Sequence, residues 1–121
     1  MIANILIAIL VSLSNIAATE TEHRITTYST GHRTADGSVI DYSGVANGTV
    51  RWCAVDQQHR KRYPYGSIIL VEGRGFFIVH DCTAAWVGRK WPEGTVDLLC
   101  HPSWDNQWRE WKRVWIIWRT R

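Results

Sequence analysis

Three aspartates stand beside short apolar runs, in Ala54-Val55-Asp56, Val79-His80-Asp81 and Val96-Asp97-Leu98-Leu99. A carboxylate at a strand end or inside an apolar strand is costly unless it is hydrogen-bonded or put to use. Where two such groups meet, repulsion and desolvation raise one of the two pKa values, giving an acid able to keep its proton near neutral pH. That is the raw material of general acid–base catalysis. Asp97, with apolar residues on both sides, is the strongest candidate for it. A lone aspartate in such a place more often caps a turn or accepts backbone N–H groups. Three of them in one short chain favour a site.

Positioning these groups falls to short strand-like segments separated by glycine. Residues 24–29, 50–55, 67–72, 76–81 and 95–100 are rich in β-branched and aromatic residues and read as strands. Glu72-Gly73-Arg74-Gly75 makes a tight turn, so the third and fourth of them form a hairpin. Residues 31–48 are polar and glycine-bearing, a loop with a turn at Ala35-Asp36-Gly37, and residues 83–94 form a second loop carrying Trp86 and Trp91. Trp104, Trp108 and Trp111 recur at spacings of four and three, which predicts a tail helix of about two to three turns capped by Ser103. A β-prone run over 114–118 follows it as a last strand. Many short strands with little helix predict a small β-barrel.

Three cysteines leave one thiol over if two pair. Cys82 directly follows Asp81, Cys100 lies three residues after Asp97, and Cys53 lies three before Asp56. On strands, these offsets turn each cysteine to the face opposite its aspartate. Any pair could bridge behind the site, and Cys82 with Cys100 is the pairing favoured. No paired Cys or His spacing of a zinc site occurs, and no metal or cofactor is expected.

In order along the chain, further stretches carry a family resemblance: Thr27-Tyr28, Thr34-Ala35-Asp36-Gly37, Cys53-Ala54-Val55-Asp56, Tyr63-Pro64-Tyr65-Gly66-Ser67, Val71-Glu72-Gly73-Arg74-Gly75, Val79-His80-Asp81 and Val96-Asp97-Leu98. From residue 26 to 118 the chain resembles the 3D domain, named for its three aspartates, which occurs in small bacterial and phage cell-wall proteins and in MltA-type lytic transglycosylases. The resemblance implies a six-stranded double-psi β-barrel with one or two short helices. It also implies cleavage of peptidoglycan between N-acetylmuramic acid and N-acetylglucosamine, with a 1,6-anhydro product. By position, Asp97 matches the family's catalytic acid/base and Asp81 and Asp56 its supporting aspartates. Thr34, Tyr28 and Trp86 are the expected substrate contacts. Where the family usually has Thr-Gly-Gly-Ala-Ile-Lys-Gly after its second aspartate, this chain has Cys82-Thr83-Ala84-Ala85-Trp86. A non-catalytic, expansin-like wall-binding module is the alternative that such a change suggests.

Length and composition set the frame. The chain has 121 residues, one domain's worth, and 45% of them are apolar, enough for a real core. Eight tryptophans are many for this size, suited to packing and to stacking on flat ligands alike. A net charge of +3 suits approach to an anionic polymer, but no nucleic-acid motif accompanies it. Residues 2–13 are almost purely apolar, and at twelve residues fall short of the roughly 20 that span a membrane. Small residues at Ala17 and Ala18 follow, as in a secretory signal. The expected organisation is therefore a signal over 1–18 and one domain over 19–121. The mature protein is expected to be a secreted or periplasmic monomer at the cell wall, with no membrane span.

Overall fold

Short apolar strands, several of them buried on both faces, explain how the chain closes on itself. The computed structural model describes residues 21–29, 31–104 and 109–120. The expected export signal and Trp108 lie outside the described residues. Six strands are present among the described residues: β1 (Thr21–Tyr28), β2 (Trp52–Val55), β3 (Ile68–Val71), β4 (Gly75–Cys82), β5 (Thr95–Leu99) and β6 (Glu110–Trp118). Two short helices, α1 (Tyr42–Asn47) and α2 (Ala85–Lys90), and two single 3-10 turns at Gln57–His59 and Pro102–Trp104 join them. The strands form a closed barrel in the order β1-β5-β2-β4-β3-β6. The pairs β1·β5 and β2·β4 are parallel, and the other four are antiparallel. Closure leaves no open sheet edge.

One face of each strand fills the interior. Ile25, Cys53, Val55, Ile69, Val71, Phe77, Val79, Val96, Leu98 and Val114 all turn inward and pack with Tyr63. The residues between them turn outward, and there Ile40, Val45 and Leu99 form a smaller cluster with Tyr28, Tyr42, Val50 and Trp52. That outer cluster fastens the 31–50 loop to the barrel wall. Within the loop, Asp41 caps α1 by accepting the N–H groups of Ser43 and Gly44, and Gly48 ends it at a left-handed φ of 83°. By sequence alone this stretch and 83–94 read as loops throughout. Both helices have six residues, too short to show a periodic signal.

The tail departs from the expected helix. Trp104 ends a 3-10 turn, while Trp111 lies in β6, where burial follows a strand. The reason is tertiary. β6 pairs with β1 through residues 110–114 and with β3 through residues 114–118, and only this long strand closes the barrel. Pairing on both sides outweighs a local helical spacing of tryptophans.

Cys53, Cys82 and Cys100 form no disulfide with one another, so the Cys82–Cys100 bridge is absent. Cys82 sits opposite Val55, and Val55 opposite Val96, so Cys82 is level with the start of β5. Cys100 lies four residues further along and two strands over, about 13 Å away along the strand direction alone. A disulfide needs Cα atoms within about 7 Å. Cys53, pointing into the core, is fully buried, and that burial pushes its thiol pKa up.

A polar cluster closes one end of the core. His23, 1% exposed, has Nδ1 2.9 Å from the Glu93 carbonyl oxygen and Nε2 2.6 Å from the Tyr63 hydroxyl. The carbonyl can only accept, so Nδ1 carries the proton and Nε2 accepts from Tyr63. Gly94 lies against this ring with φ +104°, and a Cβ there would stand 2.6 Å from His23 Nδ1. Burial lowers the His23 pKa below its ordinary 6.5, against the raising effect of the Glu93 carbonyl. A lowered histidine pKa means that the unfolded chain takes up a proton the folded chain resists, so this contribution is complete above pH 6.5 and is lost as the pH falls below it. Melting temperature should therefore fall between about pH 7.5 and about pH 5, and His23→Gln should flatten that slope. An unchanged slope in the variant would assign the acid sensitivity elsewhere.

Candidate functional site

A single irregularity in the barrel brings two of the three aspartates together. Along β4, Phe77 and Val79 point inward, so strict alternation would send Asp81 inward as well. Between Cys53 and Ala54 the register with β2 shifts, so Cys53 pairs with Val79 but Ala54 pairs with Asp81. His80 is the extra residue of this bulge, and the bulge turns Asp81 outward. From the other side Ala54 pairs with Asp97, which lies outward between the inward Val96 and Leu98. Asp81 and Asp97 thus flank one alanine on the outer face, two strands apart, with Cα atoms about 10 Å from each other. Both line a cavity of about 400 Å³ together with Tyr28, Ala54, Thr83 and Val87.

Each carboxylate is held differently. Asp97 accepts the Thr26 hydroxyl on Oδ1 at 2.7 Å, from its direct neighbour on β1. Asp81 accepts three donors: the Tyr28 hydroxyl at 3.0 Å, the Ala35 N–H at 2.7 Å and its neighbour Cys82's N–H at 2.9 Å. Three donors suit an ionised carboxylate, which only accepts. Burial, then the adjacent Asp81 carboxylate, push the Tyr28 phenol well above its ordinary pKa, so it stays protonated and donating.

The donor from Ala35 is delivered by a clamped turn. Asp36 Oδ1 accepts the Thr34 hydroxyl at 2.6 Å and the Ser38 N–H at 3.0 Å, and His80 Nδ1 donates to its Oδ2 at 2.6 Å. The Asp36 N–H reaches the His80 carbonyl at 3.2 Å, and the His80 ring lies tilted against that of Trp52 with centroids 4.2 Å apart. Thr34, expected to offer its hydroxyl to substrate, is only 5% exposed and commits that hydroxyl to the turn. Burial tends to raise the Asp36 pKa, but hydrogen bonds from Thr34, His80 and Ser38 outweigh it and bring the value down to about 2. A depressed carboxylate stabilises the docked turn fully above the ordinary 3.8, and that contribution is lost as the pH falls through about 2. The Ser38 amide resonance should hold its shift through the ordinary carboxylate range and move only towards pH 2. A midpoint at 3.8 would show that the clamp is not formed in solution.

Asp56 does not join the other two. It is 1% exposed, accepts the Thr95 N–H at 3.0 Å and is paired with His59 Nδ1 at 2.7 Å. It is absent from the lining of both cavities beside Asp97. Its contribution is to anchor the start of β5, two residues before Asp97.

A second cavity of about 550 Å³ continues from Asp97 along β1 and α2. Tyr28, Thr83, Val87 and Asp97 line both cavities, so the two form one groove with Asp97 in its middle. Trp86 stands on its rim, 55% exposed, and Trp91 lies beneath the Arg24 guanidinium at 4.3 Å. Lys90 and Arg109 complete the rim. Sequence reasoning does not group these three cations: Arg24 opens a predicted strand, Lys90 lies in the 83–94 loop and Arg109 in the expected tail helix, with no local signal that links them. Among the described residues, no three His, Cys, Asp or Glu side chains gather to hold a metal ion. No helix among the described residues is long and apolar enough to cross a membrane.

Comparison with protein-family models finds no match to this chain, and comparison with curated proteins finds none.

Proposed function

We propose that this protein is a peptidoglycan lytic transglycosylase that cleaves the bond between N-acetylmuramic acid and N-acetylglucosamine. The observation that carries the reading is the pair Asp97 and Asp81, flanking Ala54 at the centre of an open, tryptophan-rimmed groove. A groove of this volume suits a sugar unit or two, and an exposed indole such as Trp86 offers a face on which a ring can lie.

In this reading Asp97 gives its proton to the glycosidic oxygen as the bond from C1 breaks. The C6 hydroxyl of the same muramic acid attacks C1, and its proton returns to Asp97. No water is consumed, and one carboxyl serves both steps because they occur in sequence. Thr26 fixes the orientation of Asp97 through Oδ1. Asp81, held as an acceptor by Tyr28, Ala35 and Cys82, places a negative charge near the cationic sugar of the transition state. Asp56 supports β5 from behind and takes no part in the proton transfers. The reading also takes residues 1–18 as the export signal that brings the chain to its polymer.

Mass spectrometry of purified peptidoglycan digested with the protein tests this directly. Anhydromuropeptides are the expected product. Reducing-end sugars, heavier by one water, would replace the transglycosylase with a hydrolase that activates water between two carboxylates. Co-sedimentation with the wall and no soluble product would leave the expansin-like binding module.

A further inference from the structure

We propose that the groove beside Asp97 carries a subsite for an anionic substituent on the sugar, a carboxylate or phosphate held by Arg24, Lys90 and Arg109. The inference rests on the glycan reading for the sugar ring and adds the charge of the group attached to it.

Three observations support it. First, the charge in the larger cavity is lopsided: among its described lining residues Arg24, Lys90 and Arg109 are cationic and Asp97 is the sole acid. Second, Arg24 is presented to the groove by the fold itself. It lies on the outward row of β1 with Thr26 and Tyr28, opposite to the buried Ile25, and its guanidinium is braced 4.3 Å above Trp91. Lys90 Nζ stands 5.6 Å from the centre of the same ring. Third, Arg24 Nε is buried with no hydrogen-bond partner among the described residues. A buried donor left unpaired is costly, and a bound oxyanion would satisfy it. Burial and then the nearby Arg109 charge weaken the hold of Arg24 on its proton, with Asp97 and Glu93 opposing. An anion between the two arginines relieves that repulsion.

The chemistry narrows the ligand. A guanidinium fork matches the two oxygens of a carboxylate or phosphate, whereas a neutral hydroxyl leaves the cations uncompensated. Trp86, exposed at the rim of the same cavity, gives the attached ring its surface. The substrate class is therefore an acidic sugar, with the charge beside the bond whose oxygen Asp97 protonates.

Titration of the full chain with three sugars sharing one ring tests this: N-acetylglucosamine, N-acetylmuramic acid and N-acetylglucosamine 6-phosphate. At least one charged sugar should bind about ten-fold more tightly than the neutral one, the worth of one good charge-assisted pair. Preference for the muramic acid identifies a carboxylate ligand, and preference for the phosphate identifies a phosphorylated one. Arg24→Gln should abolish the preference for the charged sugar. Lys90→Gln and Arg109→Gln, at exposed positions, should each reduce it and carry the test if Arg24→Gln fails to fold. Equal binding of all three sugars, no binding of any, or a preference that survives the substitutions overturns the subsite. Digestion run in parallel separates the two proposals. Anhydro products without a charge preference overturn the subsite alone. A charge preference without cleavage upholds the subsite and overturns the transglycosylase.

Discussion

Asp97→Asn is expected to reduce release of anhydromuropeptides by about 10²–10⁴-fold, the range that a positioned general acid supplies. The substitution keeps the shape of the side chain and an oxygen able to accept the Thr26 hydroxyl, which now meets Asp97 Oδ1 at 2.7 Å. Asp97 lies on the outward face and is only partly buried, so the core contacts of Val96 and Leu98 stay intact. Melting temperature should therefore change little while the chemistry stops. Product release by mass spectrometry and a melting curve on the same preparation provide the check. Near-normal turnover in Asp97→Asn would remove Asp97 from the acid role and leave the groove in need of another proton donor.

Asp56→Ala should have the opposite signature, a large loss of stability. The alanine leaves the buried Thr95 N–H without its acceptor and His59 without its partner. Leaving buried donors without their acceptor costs about 1–3 kcal/mol. For a domain of about 100 residues that lowers Tm by about 5–20 °C. Asp56→Asn retains an oxygen for Thr95 and should recover part of the loss. Denaturation of the two variants side by side gives the comparison. A normal Tm in Asp56→Ala together with lost cleavage would make Asp56 a participant in the reaction and contradict its placement behind β5.

These two variants separate roles that looked alike along the chain. Asp97 stands out by its apolar flanks, but nothing local shows which of Asp56 and Asp81 joins it. Their difference arises from which neighbours the barrel brings to each. Thr95 closes over Asp56, while Ala54 leaves open the surface between Asp81 and Asp97. The turn at 34–37 was legible as a turn from its Ala-Asp-Gly composition. Its task was not, because His80, the partner of Asp36, is 44 residues away.

The amino-acid sequence by itself determined the strand segments, the hairpin at Glu72–Gly75 and the β-class of the fold. Those features rest on side-chain alternation and turn chemistry within a few residues, so local order is enough to read them. The tertiary structure alone decided the register shift that turns Asp81 outward beside Asp97, and the strand conformation of Trp111. It also decided the separation of Cys82 from Cys100 and the assembly of Arg24, Lys90 and Arg109 along one groove. Each depends on pairing between strands distant in the chain, where a one-residue shift moves a side chain from the core to the opposite face.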